Sequence, residues 1–314
     1  MQESAKFILK PIVTFLLLAL LCTPLSSADA KRVGWIGKMI EYNQYLSEKI
    51  DQLAENIDLF LSRRKFTDDM NESTITLKSF ASHQEGGEKD SSFNFDINLR
   101  LPNLEERWQL RFTSYDPSRE ERDTRSRRQR LRPREVSYGA GLALLQELGN
   151  VKTTFQPRIE LKDPLQTSYT LRFESAGDVK PLSIEPRFEL FADSEMGTGQ
   201  FLSLNTELSL SEDISVYQFN EEQYEDADNK FTTTHGVSVS KNVGLRRAVS
   251  TTFSFRSTSR PSAFHLSDFT ASVGYASEPY RRVLAYNLGP HWVFAKDARF
   301  KGKVGFSFEI ELIF

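Results

Sequence analysis

The chain has 314 residues, with 40 Lys and Arg against 43 Asp and Glu, and a formal net charge of −3. It therefore lacks the basic excess that a nucleic-acid partner usually requires. Its mean hydropathy is negative, and its only cysteine is Cys22, so a disulfide within the chain and a cysteine-ligated metal site are excluded.

Residues 1–30 have the pattern of a secretory signal peptide. Lys6 and Lys10 provide a basic start, Ile12 to Cys22 forms an apolar stretch, and Ala28-Asp29-Ala30 offers the small residues of a cleavage site. The apolar stretch is shorter than the about 20 residues that a spanning helix needs. Leu21, directly before the cysteine, is too large for a lipoprotein signal, so no lipid anchor is expected.

Residues 31–66 are predicted to form an amphipathic helix. Their apolar positions recur at alternating spacings of three and four residues, as in a heptad repeat, with one Asn among them. Two interpretations stay open: the helix packs against the rest of its own chain, or it associates with a second copy. The predicted helix core is Ile36, Met39, Asn43, Leu46, Ile50, Leu53, Ile57 and Phe60.

From Ser73 onward the apolar period changes to two, which is typical of strands with two different faces. About fourteen such runs follow. Two of them, 214–219 and 231–239, are weaker, so twelve strands are the alternative. The runs are 75–79, 93–101, 108–112, 136–142, 151–161, 169–173, 182–190, 202–210, 214–219, 231–239, 249–255, 269–275, 284–294 and 306–314.

The last run indicates where the apolar faces point. It alternates apolar and polar residues and ends on an aromatic ring, which resembles the signal that the barrel-insertion machinery of bacterial outer membranes recognises. With the export signal, this predicts an all-β fold, a transmembrane antiparallel barrel of about fourteen strands over residues 73–314 in the outer membrane. A soluble β-sandwich is the alternative fold. The insertion-signal residues are Phe306, Phe308, Ile310, Leu312 and Phe314.

The connections sort into short and long ones. If both ends of the barrel lie in the periplasm, the short turns face inward and the long loops face outward. The predicted long outer loops are Ser118–Glu135 and Asn220–Asn229, and the predicted periplasmic turns are Pro102–Glu105, Gly149-Asn150 and Ser211-Glu212-Asp213. Because proline removes a ladder hydrogen bond, bulges or local breaks are expected at Pro157, Pro186 and Pro290.

Ser118–Glu135 holds eight arginines. As an outer loop it would bind the phosphates of lipopolysaccharide, because guanidinium groups bind phosphate in bidentate fashion. It could instead fold into the pore or stay a solvated charged loop. The acidic Asn220–Asn229 matches no calcium-loop spacing, so solvation is the better interpretation there.

The polar faces of the strands carry charges of both signs, which would line or fill the lumen. Acidic and basic patches that face a water-filled constriction select solutes by charge and size. We therefore expect a porin-like channel for passive diffusion of small hydrophilic solutes. A structural or assembly protein, whose helix plugs the barrel or binds a periplasmic partner, is the alternative. The predicted lumen-lining residues are Asp96, Arg100, Arg111, Arg158, Glu160, Arg172, Glu174, Glu185, Arg187, Glu189, Glu207, Arg256, Glu309 and Glu311.

An outer-membrane lipid hydrolase is the least favoured function. Such enzymes hold a His beside a Ser and an Asp or Asn. The nearest cluster is His265 with Ser267 and Asp268, which is weak, because Asp268 lies on the other face of its strand. No catalytic residue, cofactor or metal site is predicted.

Three motifs and the Phe-ended last strand resemble an uncharacterised family of proteobacterial outer-membrane β-barrels with an N-terminal helix. The motifs are Leu101-Pro102, Tyr138-Gly139-Ala140-Gly141-Leu142 and Leu288-Gly289-Pro290-His291-Trp292. The resemblance implies a fold and a location. It names no substrate.

Overall fold

The computed structural model describes residues 45, 47–52, 55–56, 73–100, 108–194, 197–260, 263–280 and 283–314. The predicted signal peptide, most of the predicted N-terminal helix and the turn Pro102–Glu105 lie outside these residues. Of the eight predicted helix-core positions, Ile50 is described, on a helical segment. Within the described ranges, no helix is long and apolar enough to cross a membrane.

The described chain consists of strands with two short helices between the third and fourth. The helices are α1 (Pro117–Glu121) and α2 (Thr124–Arg128). The strands are β1 (Thr74–Gln84), β2 (Glu88–Arg100), β3 (Trp108–Thr113), β4 (Gly139–Leu148), β5 (Val151–Glu160), β6 (Gln166–Ser175), β7 (Gly177–Val179), β8 (Leu182–Asp193), β9 (Gly197–Ser209), β10 (Ile214–Glu225), β11 (Lys230–Gly244), β12 (Arg247–Arg260), β13 (Ala263–Tyr280), β14 (Leu284–Ala295) and β15 (Gly302–Ile313).

Fourteen of these strands close into one antiparallel barrel. Sequential neighbours pair, β1 pairs with β15, and β6 pairs with β8 across the short β7, which lies outside the ring. Closure leaves no unpaired edge within the membrane. Each of the fourteen predicted runs overlaps one barrel strand, so the prediction of about fourteen strands is confirmed, and twelve is wrong.

The barrel is apolar outside and polar inside. In β5, Thr154, Gln156 and Arg158 are buried, whereas Phe155 and Ile159 between and beside them are exposed. The same alternation recurs around the ring, with exposed Leu202 and Leu204, and buried Ser203 and Asn205, on β9. A soluble sandwich would bury its apolar faces, so this inversion excludes that alternative.

The ends of the barrel meet at Phe314, whose amide and carbonyl both bond to Ile75, at 2.8 and 3.0 Å. We call the end that holds Ser73 and Phe314 the periplasmic end, because the short turns of outer-membrane barrels face the periplasm. The turn Gly149-Asn150 and the short connection 210–213 lie at this end, as predicted, and Gly149 adopts φ +62°.

The predicted loop Asn220–Asn229 is wrong. β10 continues to Glu225 and β11 begins at Lys230, which leaves a turn of residues 226–229. The acidic residues before this turn belong to β10, whose inner face lies in the polar lumen.

The three strand prolines coincide with local breaks without a shift of register. Pairing skips residues 156–157 of β5 on the β4 side and residues 289–290 of β14 on the β13 side. The β6–β8 ladder ends at Arg187, next to Pro186. The register shifts of the described strands lie elsewhere, near Asn242, Arg256 and Ser277.

A small apolar cluster covers the outer face of the first strands at the periplasmic end. Ile50 is 7 % exposed and packs with Leu99, which is 2 % exposed. Asp51 accepts a hydrogen bond of 3.3 Å from the amide of Ser73. The cluster is completed by Ile75, Ile97, Leu110 and Phe314.

Candidate functional site: a charged segment inside the lumen

Residues 114–138, which connect β3 to β4, fold into the barrel, and we call them the lumen segment. The amide of Ser114 still bonds to the carbonyl of Phe95 at 3.1 Å, so the segment leaves the wall from a paired position. Asp116 then caps α1 by accepting from the amides of Ser118 and Arg119, and Pro117 occupies the first turn. A side-chain cap and an N-terminal proline are strong signals for a helix start.

The base of the lumen segment is fixed to the wall through Tyr115 at one end and through Arg158 at the other. Arg111 binds Asp96 in bidentate fashion, at 2.9 and 2.5 Å, and the Tyr115 hydroxyl donates to the same carboxylate at 3.0 Å. Arg158 of β5 donates to the Thr113 hydroxyl at 2.5 Å and to the Ser137 carbonyl at 2.6 Å. Both ends of the segment are therefore anchored on the same side of the barrel.

One side of α1 reaches the last strand through a shared network. Glu120 accepts from Arg130 at 2.6 Å and from Arg134 at 2.7 and 2.8 Å. Arg134 also donates to Glu309 of β15, and its side chain is only 4 % exposed. Because two arginines share two carboxylates here, the charges are compensated inside the segment and against the wall.

The opposite side of α1 meets β6 and β8. Arg172 pairs with Glu121 and donates to Glu189 at 3.0 Å, and Arg187 donates to the same Glu189 at 2.5 Å. Arg187 also donates to the backbone carbonyl of Glu121 at 2.8 Å. Glu189 is 0 % exposed, so it depends fully on these guanidinium groups for compensation.

The helix α2 carries the segment across to the far wall. The Thr124 amide donates to Glu221 of β10 at 3.0 Å, and Arg125 pairs with Asp268 of β13 at 2.5 Å. Beyond α2, Gln129 donates to the Gly289 carbonyl of β14 at 3.2 Å. The segment therefore spans the lumen from β2 and β3 to β10 and β13–β15.

The two acidic side chains of α1 titrate below their ordinary range. Burial alone would raise the pKa of Glu120, but Arg134 and Arg130 outweigh it and lower that pKa below 4.5. The pKa of Glu121 is lowered in the same way, where Arg172 and Arg111 outweigh burial. Burial and the neighbouring Asp96 raise the pKa of the Tyr115 hydroxyl. Glu120 and Glu121 are therefore ionised over the whole neutral range.

The lumen segment separates the interior into cavities. A cavity of about 520 Å³ lies on the outer side, lined by Tyr115, Arg132 and His291 among others. On the periplasmic side, two cavities of about 480 and 510 Å³ lie against β12–β15 and β5–β10. Arg127 lines both of these, as well as a third of about 260 Å³ between the segment and the wall. Its exposed guanidinium donates to Thr124 at 2.6 Å.

All fourteen residues predicted to line the lumen stand on the inner face of their strands. Arg100 and Glu185 are exposed near the periplasmic end. The remaining twelve are buried or half-buried: Asp96, Arg111, Arg158, Glu160, Arg172, Glu174, Arg187, Glu189, Glu207, Arg256, Glu309 and Glu311.

The sequence argument missed the partners that the lumen segment provides. The sequence places Glu120, Glu121 and Arg134 on a charged loop that faces lipid, the pore or solvent, and in the structure this loop lies in the pore. Arginines of the loop bind carboxylates of the barrel wall, so the interpretation as an outer loop bound to lipid phosphates is wrong.

Two other clusters contain residue types that are found in metal sites and catalytic sites. The carboxylates of Asp116, Glu160 and Asp193 approach one another within 4.8 Å. Cationic groups already occupy them, since Arg119 reaches Asp193 at 3.1 Å and Lys162 reaches Glu160 at 3.3 Å. An ion-pair cluster explains this geometry without a metal.

The histidine cluster is not assembled in the way that acyl transfer needs. His265 contacts the Ala263 carbonyl at 3.3 Å, whereas Ser267 donates to Thr258 at 2.8 Å and Asp268 binds Arg125. The partners of His235 are the Asn220 amide, at 2.9 Å, and the ring of Phe255.

No protein-family model matches the chain, and no curated protein matches its sequence. A loop L8 deletion mutant of OmpT, an outer membrane protein of Vibrio cholerae, is 9% identical, with a TM-score of 0.49, over 78% of this chain and 99% of its own. OccK11 (OpdR) of Pseudomonas aeruginosa is 9% identical, with a TM-score of 0.43, over 78% and 96%. The outer membrane channel DcaP of Acinetobacter baumannii is 7% identical, with a TM-score of 0.44, over 78% and 97%. At such distances no substrate carries over to this chain.

Aromatic residues on the outer surface of the barrel indicate that it lies in a membrane. Rings of Phe269 and Phe294 stack at 4.4 Å between centroids near the outer end, and Tyr275 and Tyr286 pair at 6.1 Å near the periplasmic end. Aromatic girdles at both interfaces of an apolar band are typical of outer-membrane barrels. A closed barrel of fourteen antiparallel strands with this surface and a polar lumen is an outer-membrane β-barrel.

Proposed function

We propose that this barrel is a porin-like channel for passive diffusion of small hydrophilic solutes, with the lumen segment as its constriction. The observation that carries the proposal is the charged segment laid across a polar lumen, with a cavity on each side of it. Solutes would cross along the guanidinium and carboxylate groups of the segment and wall.

The width of the barrel supports this proposal. Barrels of about eight strands are filled by their own side chains, whereas those of 16–18 strands leave an aqueous channel. Fourteen strands lie between these limits. A lumen of that size needs an inserted element to narrow it, and residues 114–138 supply one.

The rigidity of the segment also supports a constriction. Its two anchored ends and its ion pairs from Arg122 to Glu189, from Arg125 to Asp268 and from Arg134 to Glu309 fix the guanidinium groups in place. Fixed charges select solutes by sign and size, because the field in a narrow, poorly solvated passage is strong.

The second candidate is a closed structural barrel, and the same ion pairs favour it. If the network fills the passage completely, the lumen segment is a plug, and the protein serves the membrane or binds a periplasmic partner through residues 31–66. Conductance separates the two functions, because a plugged barrel is silent.

The test is single-channel recording of the purified mature protein in planar bilayers. The comparison is a variant in which residues 118–135 are replaced by a short Gly-Ser linker. We expect steady conductance in the intact protein and a larger conductance in the variant. Deletion of residues 31–64 shows separately whether the N-terminal part limits the current.

Folding of each variant is checked by heat-modifiable migration in gels. Silence of the intact protein with conductance in the linker variant would assign the segment as a plug. Silence of both folded proteins would exclude the channel function.

A further inference from the structure

A small cavity beside α1 has the chemistry of an anion site. It measures about 180 Å³ and lies between the lumen segment and strands β9–β12. Cavities for drug-sized ligands measure about 300–1,000 Å³, so this one limits its occupant to a small ion with a few waters. Its cationic lining is Arg119, Arg122, Lys230 and Arg256.

Arg122 is the least compensated of these cations. Its side chain is 4 % exposed, its guanidinium carbon lies 3.9 Å from the centre of the Phe191 ring, and its Nε lies 3.5 Å from Glu189. Glu189, however, is already bonded by Arg172 and Arg187, so three guanidinium groups share one carboxylate. Among the described residues, Nε and Nη1 of Arg122 donate no hydrogen bond.

Arg256 is a second guanidinium on the same cavity with incomplete compensation. It reaches Asp123 with Nη2 at 3.4 Å, while its Nε is enclosed by protein atoms and donates no hydrogen bond within the described residues. A buried charge without a full counterion is costly. Two such guanidinium groups line one cavity, where a bound anion would compensate both.

The carboxylates on this cavity have other partners. Glu225 accepts from Lys230 at 3.2 Å and from Gln223 at 2.7 Å, and Glu221 accepts from the Thr124 amide at 3.0 Å. With Asp123 they are three carboxyl groups against four cationic side chains, so the lining is cationic. Burial lowers the pKa of the Arg122 guanidinium, and Glu189 and Asp116 do not compensate for it.

We propose that this cavity is a binding site for a small tetrahedral oxyanion such as phosphate, held by Arg122 and Arg256. Guanidinium groups bind phosphate oxygens through parallel N–H donors. A role of this site in solute passage rests on the channel function proposed above. Binding of the anion does not depend on that function.

The experiment measures inorganic phosphate binding to the folded full-length mature protein in detergent, by equilibrium dialysis at constant ionic strength. We expect saturable binding of one phosphate per barrel, sulfate as a competitor and chloride as a weak one. Phosphate is also expected to raise the unfolding temperature, because a ligand that binds the native state stabilises it. The absence of saturable binding would overturn the proposal.

Three variants localise the site. Arg122→Gln and Arg256→Gln should each weaken phosphate binding at least about tenfold, which corresponds to about 1.4 kcal/mol. The matched control is Arg132→Gln, which removes the same charge from the same segment but faces the outer cavity, and its affinity should not change. Equal affinity in the wild type and Arg122→Gln would overturn the proposal.

A variant with the opposite expected effect covers the case in which Arg122→Gln does not fold. At pH 8, Glu221→Gln keeps an acceptor for the Thr124 amide and removes a negative charge from the cavity, so phosphate should bind more tightly. Unchanged or weaker binding there would count against the site. Saturable binding in a silent barrel would exclude the channel alone, and conductance without phosphate binding would exclude the site alone.

Discussion

Arg134 of the lumen segment donates to Glu309 of the last strand, and so connects a segment that starts after β3 to the strand that closes the barrel. The two residues are 175 positions apart in the chain. Arg134 also binds Glu120 of α1, so the pair continues into the segment itself. The position of the lumen segment therefore depends on closure of the whole ring.

Replacement of Arg134 by Gln should release the segment from β15. The change leaves Glu120 and Glu309 with less compensation, and loss of one partner of a buried pair costs about 3–5 kcal/mol. We expect a larger and noisier single-channel conductance, and a lower urea midpoint for unfolding.

The control for that experiment is Arg132→Gln, which removes an equal charge from the exposed part of the segment. It should leave both conductance noise and stability nearly unchanged. If Arg134→Gln also leaves them unchanged, the ion pair to Glu309 does not hold the segment.

The ion pairs of Glu120 and Glu121 should be insensitive to pH until the medium is clearly acidic. The pKa values of Glu120 and Glu121 are lowered from 4.5, because the neighbouring arginines outweigh burial. A lowered pKa gives stabilisation that is present above the ordinary value and is lost as pH falls through the folded value.

We therefore expect the stability that Glu120 and Glu121 contribute to stay constant from pH 7 to 4.5 and to be lost only below 4.5. In urea unfolding at a series of pH values, the variant Glu120→Gln should remove part of this acid transition. An acid transition that is the same in the wild type and in Glu120→Gln would contradict the role of this ion pair.

Much of this architecture follows from the sequence, because alternation with a period of two reveals which face each residue occupies. This alternation does not reveal which side chains contact one another. Glu309 and Arg134 each looked like one charge among many, and neither period nor spacing connects them. The loop prediction for Asn220–Asn229 failed because a run of acidic residues usually indicates a solvent-exposed loop. Glu221 instead lies on the inner face of β10, where it accepts a hydrogen bond from the Thr124 amide.

Gly236 of β11 should tolerate no side chain, because the ring of Phe219 on β10 lies against it. An added Cβ would approach the ring to 2.2 Å, and Phe219 is 0 % exposed, so the ring has little room to move. Overpacking of this kind costs about 1–3 kcal/mol.

Urea unfolding of Gly236→Ala in detergent should show this loss, and the same substitution should cost less stability in a Phe219→Ala background than in the wild type. Gly177→Ala is the matched control, since an added Cβ there meets nothing closer than 4.0 Å. Equal midpoints for the two glycine variants would contradict the packing argument.

Arg127 should set the ion preference of the passage on the periplasmic side. It is exposed on the lumen segment and lines three of the cavities below it. Because its side chain is solvated and, among the described residues, hydrogen-bonds locally to Thr124, its replacement should cost little stability.

The variant Arg127→Glu changes the local charge by two units within the passage. We expect the reversal potential in a KCl gradient to shift toward cation preference, with an unfolding midpoint close to that of the wild type. Lys89→Glu makes the same charge change on an exposed residue of β2 whose side chain faces away from the lumen, so it should not move the reversal potential. The field of a fixed charge acts over about 10 Å at 0.1 M salt, and the difference between the two variants should therefore shrink as salt rises. Equal reversal potentials at low salt would show that permeating ions do not pass Arg127.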